Sequence, residues 1–399
     1  WRVVQIRPHV ISIGLAALLL SFAASEAVAG VFLCSLLLAF IHLTFFWMPL
    51  ITVFAVFILI RRQEKRWNFK LPVAGLGGVI AGWLLRPDPI GAAKIVHVQL
   101  FELLLEKQAG LLAFGRELYP LAPEIFIQRY GFFCLAWLLA GAWTIPALIK
   151  RDSRPSLSRG NGLFLWGSLI LSLAFFFAVF LVSTRAVDQW AVFALVFMAG
   201  GVSHLAARRP QPKAQSGRQA RKSAKTTKPM LRTKLTLVGV LLILSMAVSL
   251  LSFPERMRLA VSPYRLARPV DWMAQHLPPG KIVFHVNWGI FPELFYWDPN
   301  HRYIGGMDAI FQYAYDRERY WMAHHLLSGR GAEYTWTAAE PLPRGRRSTY
   351  NALKTDFDAS YLFLEKRLSP TLLRYISTDE RFREIYDDGN IGIYRLEGD

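Results

Sequence analysis

Between Glu26 and Arg61 the chain runs for 34 residues without an Asp, Glu, Lys or Arg. Further charge-free runs follow, among them 25 residues between Arg159 and Arg185 and 20 between Lys234 and Glu255. A helix or strand in water needs a polar face, and these stretches have no charge with which to build one. Apolar stretches of about 18 residues or more read as membrane spans. Only 19% of the 399 residues are charged, against about 25% in ordinary soluble domains. A soluble enzyme, a disordered chain and a secreted disulfide scaffold are excluded.

Eight spans can be drawn, roughly at 8–25, 27–43, 46–60, 70–86, 130–149, 162–182, 188–206 and 235–254. As one helix the 34-residue run would be about 51 Å long, against a hydrocarbon core of about 30 Å. It reads as two helices with a tight turn near His42–Pro49. The alternative is one long tilted or broken helix, which reduces the count to seven. Gly75, Gly77, Gly78 and Gly82 in the fourth span are small enough to let a neighbouring helix come close.

The net charge of +18 invites a nucleic-acid reading, but the charge is localised. Segments 61–70, 150–159 and 208–234 together hold 19 basic and two acidic residues. The remaining 352 residues are nearly balanced, with 27 basic and 26 acidic. Short basic loops between apolar spans mark the cytoplasmic side of a membrane protein. A nucleic-acid groove would interleave its cations with aromatics on a folded face, so nucleic acid is not an expected partner. Membrane lipid is. With the basic loops inside, segment 87–128, the turn at Ser183–Asp188 and everything after the last span lie outside, while Glu26 sits at an inner turn. Segment 208–234 is poor in apolar residues and is expected to be a disordered cytoplasmic linker.

The expected fold is a polytopic α-helical membrane bundle over 1–254, followed by a small extracytoplasmic α/β domain over 255–399. That domain carries 19 basic and 19 acidic residues. Helices are predicted at Pro269–His276, Asp316–Leu327 and Pro370–Ser377, the last with Ser369 as N-cap. Strands are predicted at Lys281–Val286, Arg302–Gly305 and Ala359–Leu364. Glu384–Tyr386 and Ile391–Leu396 form a hairpin across Asp387-Asp388-Gly389-Asn390. Both cysteines, Cys34 and Cys134, lie in apolar spans, so the domain has no disulfide framework.

Three segments could carry chemistry. In the outer loop 87–128, a helix over Ala92–Gln108 would place Gln99, Glu102 and Glu106 on one side. There His97 and Arg116 could meet a phosphate and Glu117 a hydroxyl; the plainer reading is an amphipathic connector. In the outer turn, Arg185 could meet a phosphate, with Asp188 beside it, or could simply pair with Asp188 one turn away. Trp190 fits an interfacial aromatic belt. In 285–308, Trp288 and Asp308 follow a predicted strand, where α/β layers often place their sites. Trp288 could be a sugar platform or a core residue. His285 and His301 lack metal-ligand spacing, and His324 and His325 point apart, so no metal and no cofactor is expected.

The stretch Trp272-Met273-Ala274-Gln275-His276-Leu277-Pro278-Pro279-Gly280-Lys281-Ile282-Val283, the closing Phe382–Arg395 and the order of elements resemble the C-terminal half of membrane-integral glycosyltransferases of the C type. Trp288–Asp308 is similar to a segment of bacterial members. The resemblance implies transfer of a sugar from a polyprenyl-phosphate-linked donor on the outer face of a bacterial cell membrane. It also implies a carboxylate in the first external loop as base or metal-side group. No acidic loop of that kind follows the first span here. The chain begins at Trp1, and either the catalytic carboxylate lies upstream or the protein is a non-catalytic component of envelope polysaccharide assembly or transport.

Overall fold

A computed structural model of the chain describes residues 8–42, 45–102, 115–149, 159–207, 219–258, 262, 264–306, 309–340 and 345–398. Residues up to Val96 and Arg116–Arg258 form one compact unit, and His97–Gly115 with Leu259–Asp399 form a second. The first is helical and the second is built on a sheet.

The helices of the first unit are α1 (Pro8–Ala24), α2 (Val28–Ile41), α3 (Trp47–Glu64), α4 (Lys70–Leu84), α5 (Pro89–His97, whose last residue falls in the second unit), α6 (Pro123–Ile149), α7 (Arg159–Leu181), α8 (Ala186–Ala207), α9 (Gln219–Leu251) and α10 (Phe253–Arg258). Among the described residues four stretches are long and apolar enough to cross a membrane: Pro123–Ile149, Gly160–Leu181, Ala186–Leu205 and Arg232–Glu255. Val10–Ala24, Val28–Ile41 and Lys70–Leu84 are shorter apolar helices. The 34-residue run is indeed divided: His42 is extended (φ −129°, ψ 95°) and its N–H closes α2 on Leu38 O.

Small residues set the closest packing. A Cβ at Gly78 would lie 2.4 Å from Phe32 O, and one at Gly82 would lie 2.2 Å from Leu36 O. Both distances are below van der Waals contact, so α4 meets the backbone of α2 directly, as the glycine spacing predicts. Further along, large aromatics fill the space. Trp190, Phe193 and Phe197 recur on one face of α8 and are all buried. Trp190 was expected at the interface; instead its ring sits among Phe126, Phe133, Trp137 and Phe176, with centroids 5.1–5.9 Å away. Its place on the Phe193/Phe197 stripe turns it inward.

Two ends of the bundle are tied separately. At one, Glu26 in the α1–α2 turn accepts from Arg66 (2.6 Å) and from Asn68, both between α3 and α4. Gly160, at the start of α7, lies beside Ala24. At the other end, Leu121 N–H donates to Val179 O (2.9 Å) and Thr184 N–H to Tyr119 O (2.8 Å). The linker expectation needs correction. Helix α9 covers Gln219–Leu251, so 219–234 is helical. Its Ala, Lys, Arg and Gln are good helix formers, and the apolar half of α9 propagates a helix into them. Residues 208–218 lie outside the described set.

The second unit has a five-stranded sheet ordered β2-β1-β5-β7-β6. Its strands are β1 (Ile282–His285), β2 (Arg302–Tyr303), β5 (Tyr361–Glu365), β6 (Phe382–Asp387) and β7 (Ile391–Leu396); β3 (Tyr334–Trp336) and β4 (Arg346–Ser348) pair separately. β1, β2 and β5 are parallel, while β7 runs antiparallel to β5 and to β6. Alternation along the strands feeds two cores. Val283, Phe363 and Ile393 face α11 (Ala267–His276) and α12 (Phe291–Trp297) through Val270, Met273 and Leu294. Phe284, Leu362 and Leu364 face α14 (Arg317–Ser328) and α15 (Pro370–Ile376) through Met322, Leu326, Leu372 and Ile376. α13 (Ala309–Tyr315) precedes α14. Asp316 caps α14 by accepting from Arg319 N–H, whereas the expected cap Ser369 makes no such bond. α12 and the β3–β4 pair were not anticipated.

Candidate functional site

The residues singled out from sequence divide between the two units. Arg116, Glu117, Arg185 and Asp188 belong to the helical unit, and His97 and Trp288 to the sheet unit. Asp308 lies outside the described residues.

In the helical unit, segment 117–121 is knitted to the α7–α8 turn. Ser183 Oγ donates to Glu117 O (2.8 Å), and Thr184 donates to Tyr119 O through both its N–H (2.8 Å) and its Oγ1 (2.9 Å). Across this zipper the Arg185 guanidinium forms an ion pair with the Glu117 carboxylate. Arg185 thus pairs with a residue 68 positions away. Asp188 opens α8, where its N–H donates to Arg185 O (3.3 Å) and its charge suits the helix N-terminus. Arg116 starts a 3-10 turn, Arg116–Leu118; its side chain is not among those described. The geometry holds a cation and an anion together at one edge of the bundle, where a phosphate could exchange with Glu117 for Arg185.

In segment 87–128 the expected Ala92–Gln108 helix is described only as far as Glu102. It is regular to His97, continues as a π-turn over Val98–Glu102, and 103–114 lie outside the described residues, Glu106 among them. His97 is exposed and its ring lies 5.3 Å from Phe101.

In the sheet unit, the chain leaves β1 toward β2 on one side and leaves β5 toward β6 on the other. Such a switch point opens a crevice at the carboxyl ends of the two strands. Polar groups gather there. Asn287 Nδ2 donates to Glu365 Oε2 (2.9 Å), and Arg265 bridges Glu365 Oε1 (2.8 Å) and Glu293 Oε2 (3.0 Å). Next along, Lys366 contacts Glu384 and Asp387, each at 2.8 Å. Burial pulls its pKa down, but these carboxylates win and hold it above the ordinary lysine value.

His285 ends β1 and is buried. Its Nδ1 lies 3.0 Å from Asn287 O, so the ring donates there, and Nε2 has no partner among the described residues. Burial outweighs the carbonyl bond and pushes the pKa down to about 4, so this histidine is neutral at physiological pH. His301 is buried too, with Nδ1 2.5 Å from Asp298 Oδ2. Among the described residues no group of three His, Cys, Asp or Glu could hold a metal ion.

Beside the strand end lies a small cleft open to solvent, whose walls include Phe284, Trp288, Gly305, Gln312, His324 and Leu327. Gly305 (φ +80°) packs against Trp288 and Gln312. The His324 ring lies parallel to Tyr320 (5.7 Å, 19°), and its pKa is lowered by burial first and then by His325 and Arg330. His325, by contrast, is fully buried and bonds Ala338 O (2.7 Å). Among the described residues the lining holds no Asp, Glu, Lys or Arg. Its lining offers a small group an aromatic face beside the hydrogen-bonding side chains of His285, Gln312, Tyr320 and His324. Trp288 was legible in sequence; Gln312 and His324 reach the cleft only through the fold.

No protein-family model matches the chain, and no curated protein matches it in sequence.

Proposed function

We propose that the chain is a polytopic protein with about eight spans in a bacterial cell membrane. Its sheet unit would lie on the extracytoplasmic face, and it would handle a polyprenyl-phosphate-linked sugar as a glycosyltransferase resembling the C type. The observation that carries this reading is the separation of the two bundle ends. Glu26, Arg66 and Gly160 meet at one, together with the basic segment 61–70. The knitted 117–121 and 179–185 segments, with Arg185 at their edge, close the other. Basic segments at a shared end support a cytoplasmic placement of that end. The opposite end is then the one from which a lipid-linked phosphate would approach Arg185.

One observation favours a non-catalytic reading as a component of envelope polysaccharide assembly or transport. Glu117 is already engaged by Arg185, an arrangement suited to holding a ligand rather than moving its protons.

Thermal-shift titration of the detergent-solubilised chain with a short polyprenyl phosphate tests the proposal. A charge-assisted hydrogen bond contributes about 1.5–3 kcal/mol, so Arg185→Ala or Arg116→Ala is expected to weaken binding about tenfold or more. Glu117→Gln is expected to tighten it by removing the competing carboxylate. No binding by the unaltered chain would favour the non-catalytic reading. For the topology, alkaline phosphatase fused after Asp399 is expected to be active in cells; an inactive fusion with a bright fluorescent-protein counterpart would reverse it.

A further inference from the structure

The α3–α4 turn is built as a rigid frame with cations left over. Lys65 closes α3 in the left-handed conformation (φ 57°), its N–H on Arg61 O at 3.0 Å, and Arg61 Nη1 donates back to Lys65 O at 2.5 Å. Arg66 is held by Glu26 (2.6 Å) and Glu64 (2.7 Å), and Asn68 by Glu26. Both nearby carboxylates are thereby used. Arg62, Lys65 and Lys70 are exposed and enter no ion pair among the described residues.

Beside them stand two large aromatics, Trp67 (48% exposed) and Phe69 (63% exposed). They lie 6.1 Å apart and nearly parallel, and each packs on Phe57, at 4.9 and 5.5 Å. The Arg61 guanidinium sits 5.1 Å from the Trp67 ring. An aromatic pair fixed in the open beside unpaired cations is costly in water. It is favourable at a membrane surface, where rings settle at headgroup depth and cations meet phosphate.

We propose that the α3–α4 turn binds the headgroup of an anionic phospholipid, with Arg62, Lys65 and Lys70 facing the phosphate and Trp67 and Phe69 inserted beside it. This rests on the reading that α3 and α4 lie in the membrane. A soluble phosphate would use the cations alone and leave the aromatics without a role; the exposed rings are what select a lipid.

The test uses the full chain in neutral detergent, with phosphatidylglycerol or phosphatidylcholine added and retained lipid counted by native mass spectrometry. The comparison is between the unaltered chain, the triple variant Arg62→Gln/Lys65→Asn/Lys70→Gln, and Lys213→Gln/Arg218→Gln/Arg221→Gln, which removes the same charge elsewhere. Asn at 65 keeps the left-handed backbone accessible. Each surface cation contributes about fivefold to anionic-lipid binding, so the turn variant is expected to retain at least about tenfold less phosphatidylglycerol and unchanged phosphatidylcholine. Trp67→Ala is expected to lower retention of phosphatidylglycerol severalfold with no change in charge. If the triple variant fails to fold, Arg62→Gln alone carries the test. An equal loss in the 213–221 variant, or full competition by glycerol 1-phosphate, overturns the proposal. Lipid retention in detergent does not depend on which face the turn occupies, so an inverted phosphatase result overturns the topology and leaves this inference standing.

Discussion

Leu251 at the end of α9 and Leu362 in the middle of β5 are both leucines in regular structure, yet one is 80% exposed and the other is fully buried. The same contrast separates the two units. In the helical unit Phe54, Val73, Leu84 and Leu250 are each more than half exposed, while the helices meet through glycine and a cluster of aromatics. In the sheet unit, consecutive residues of β5 fill cores on both faces, and charges pair on the outside. An exposed leucine is costly in water and costs nothing in hydrocarbon. The two units are therefore built for different solvents, and each should respond differently to the same perturbation.

The largest difference is expected from truncating apolar side chains. Phe363→Ala opens a cavity in a two-sided core and should cost about 4 kcal/mol. Leu250→Ala removes a side chain that faces outward and should change thermal stability in detergent very little. Comparable losses from both would mean that the exposed helical face is covered by protein.

Acid should divide the units next. His285 has a folded pKa of about 4, below the ordinary 6.5. Between those values the unfolded chain takes a proton that the folded one refuses. The stability this group contributes is present above about pH 6.5 and is lost as pH falls toward 4, by about 3 kcal/mol. Asp379, held below the ordinary carboxylate range by Arg381 above all, adds a further loss only at lower pH. Hydrogen exchange, corrected for its intrinsic pH dependence, should quicken in β1 between pH 7 and pH 4.5. In α7, which has no titratable side chain after Arg159, it should not.

Close helix packing offers a third separation. Gly82→Ala sets a methyl 2.2 Å from Leu36 O, whereas Gly77→Ala meets nothing nearer than 3.7 Å. The first is expected to destabilise by about 2 kcal/mol and the second to be neutral or slightly stabilising through helix propensity. Equal melting temperatures for the two variants would contradict direct backbone contact between α2 and α4.

The smallest effect concerns the Arg185–Glu117 pair, whose side chains are 44% and 33% exposed. Glu117→Gln should cost at most about 1 kcal/mol, because solvent screens the pair and the backbone zipper around it remains. A larger loss on thermal denaturation would make the pair a structural clamp and weigh against phosphate exchange at Arg185.

What was legible in the sequence follows the same division. Charge-free runs marked apolar helices because the absence of charge persists over many residues, and Asp387-Asp388-Gly389-Asn390 marked a hairpin because turn chemistry is local. The helix over 219–234 was hidden, since a polar segment reads as a linker until the apolar half of α9 extends a helix back into it. α12 and the three-residue strands β3 and β4 are too short for periodicity to register. Trp190 looked interfacial from its neighbours Arg185 and Asp188, and only the Phe193/Phe197 stripe turns it inward. The Arg185–Glu117 pair, Asn287–Glu365 and the approach of Gln312 to Trp288 join distant positions, and no local pattern announces them.

The bond between Glu26 and Arg66 joins residues 40 positions apart, and that separation has a meaning in time. At about 5–20 residues per second, a growing chain presents Glu26 some 2–8 s before Arg66 exists. During that interval α1, α2 and the growing α3 can pair only with one another, and Glu26 does not yet have the guanidinium that it holds in the finished fold. The glycine face of α4 arrives immediately after Arg66. The bond to Arg66 and the cover over the α2 backbone therefore become available within one short stretch of synthesis, so the N-terminal helices become committed to their arrangement together, early in the making of the chain.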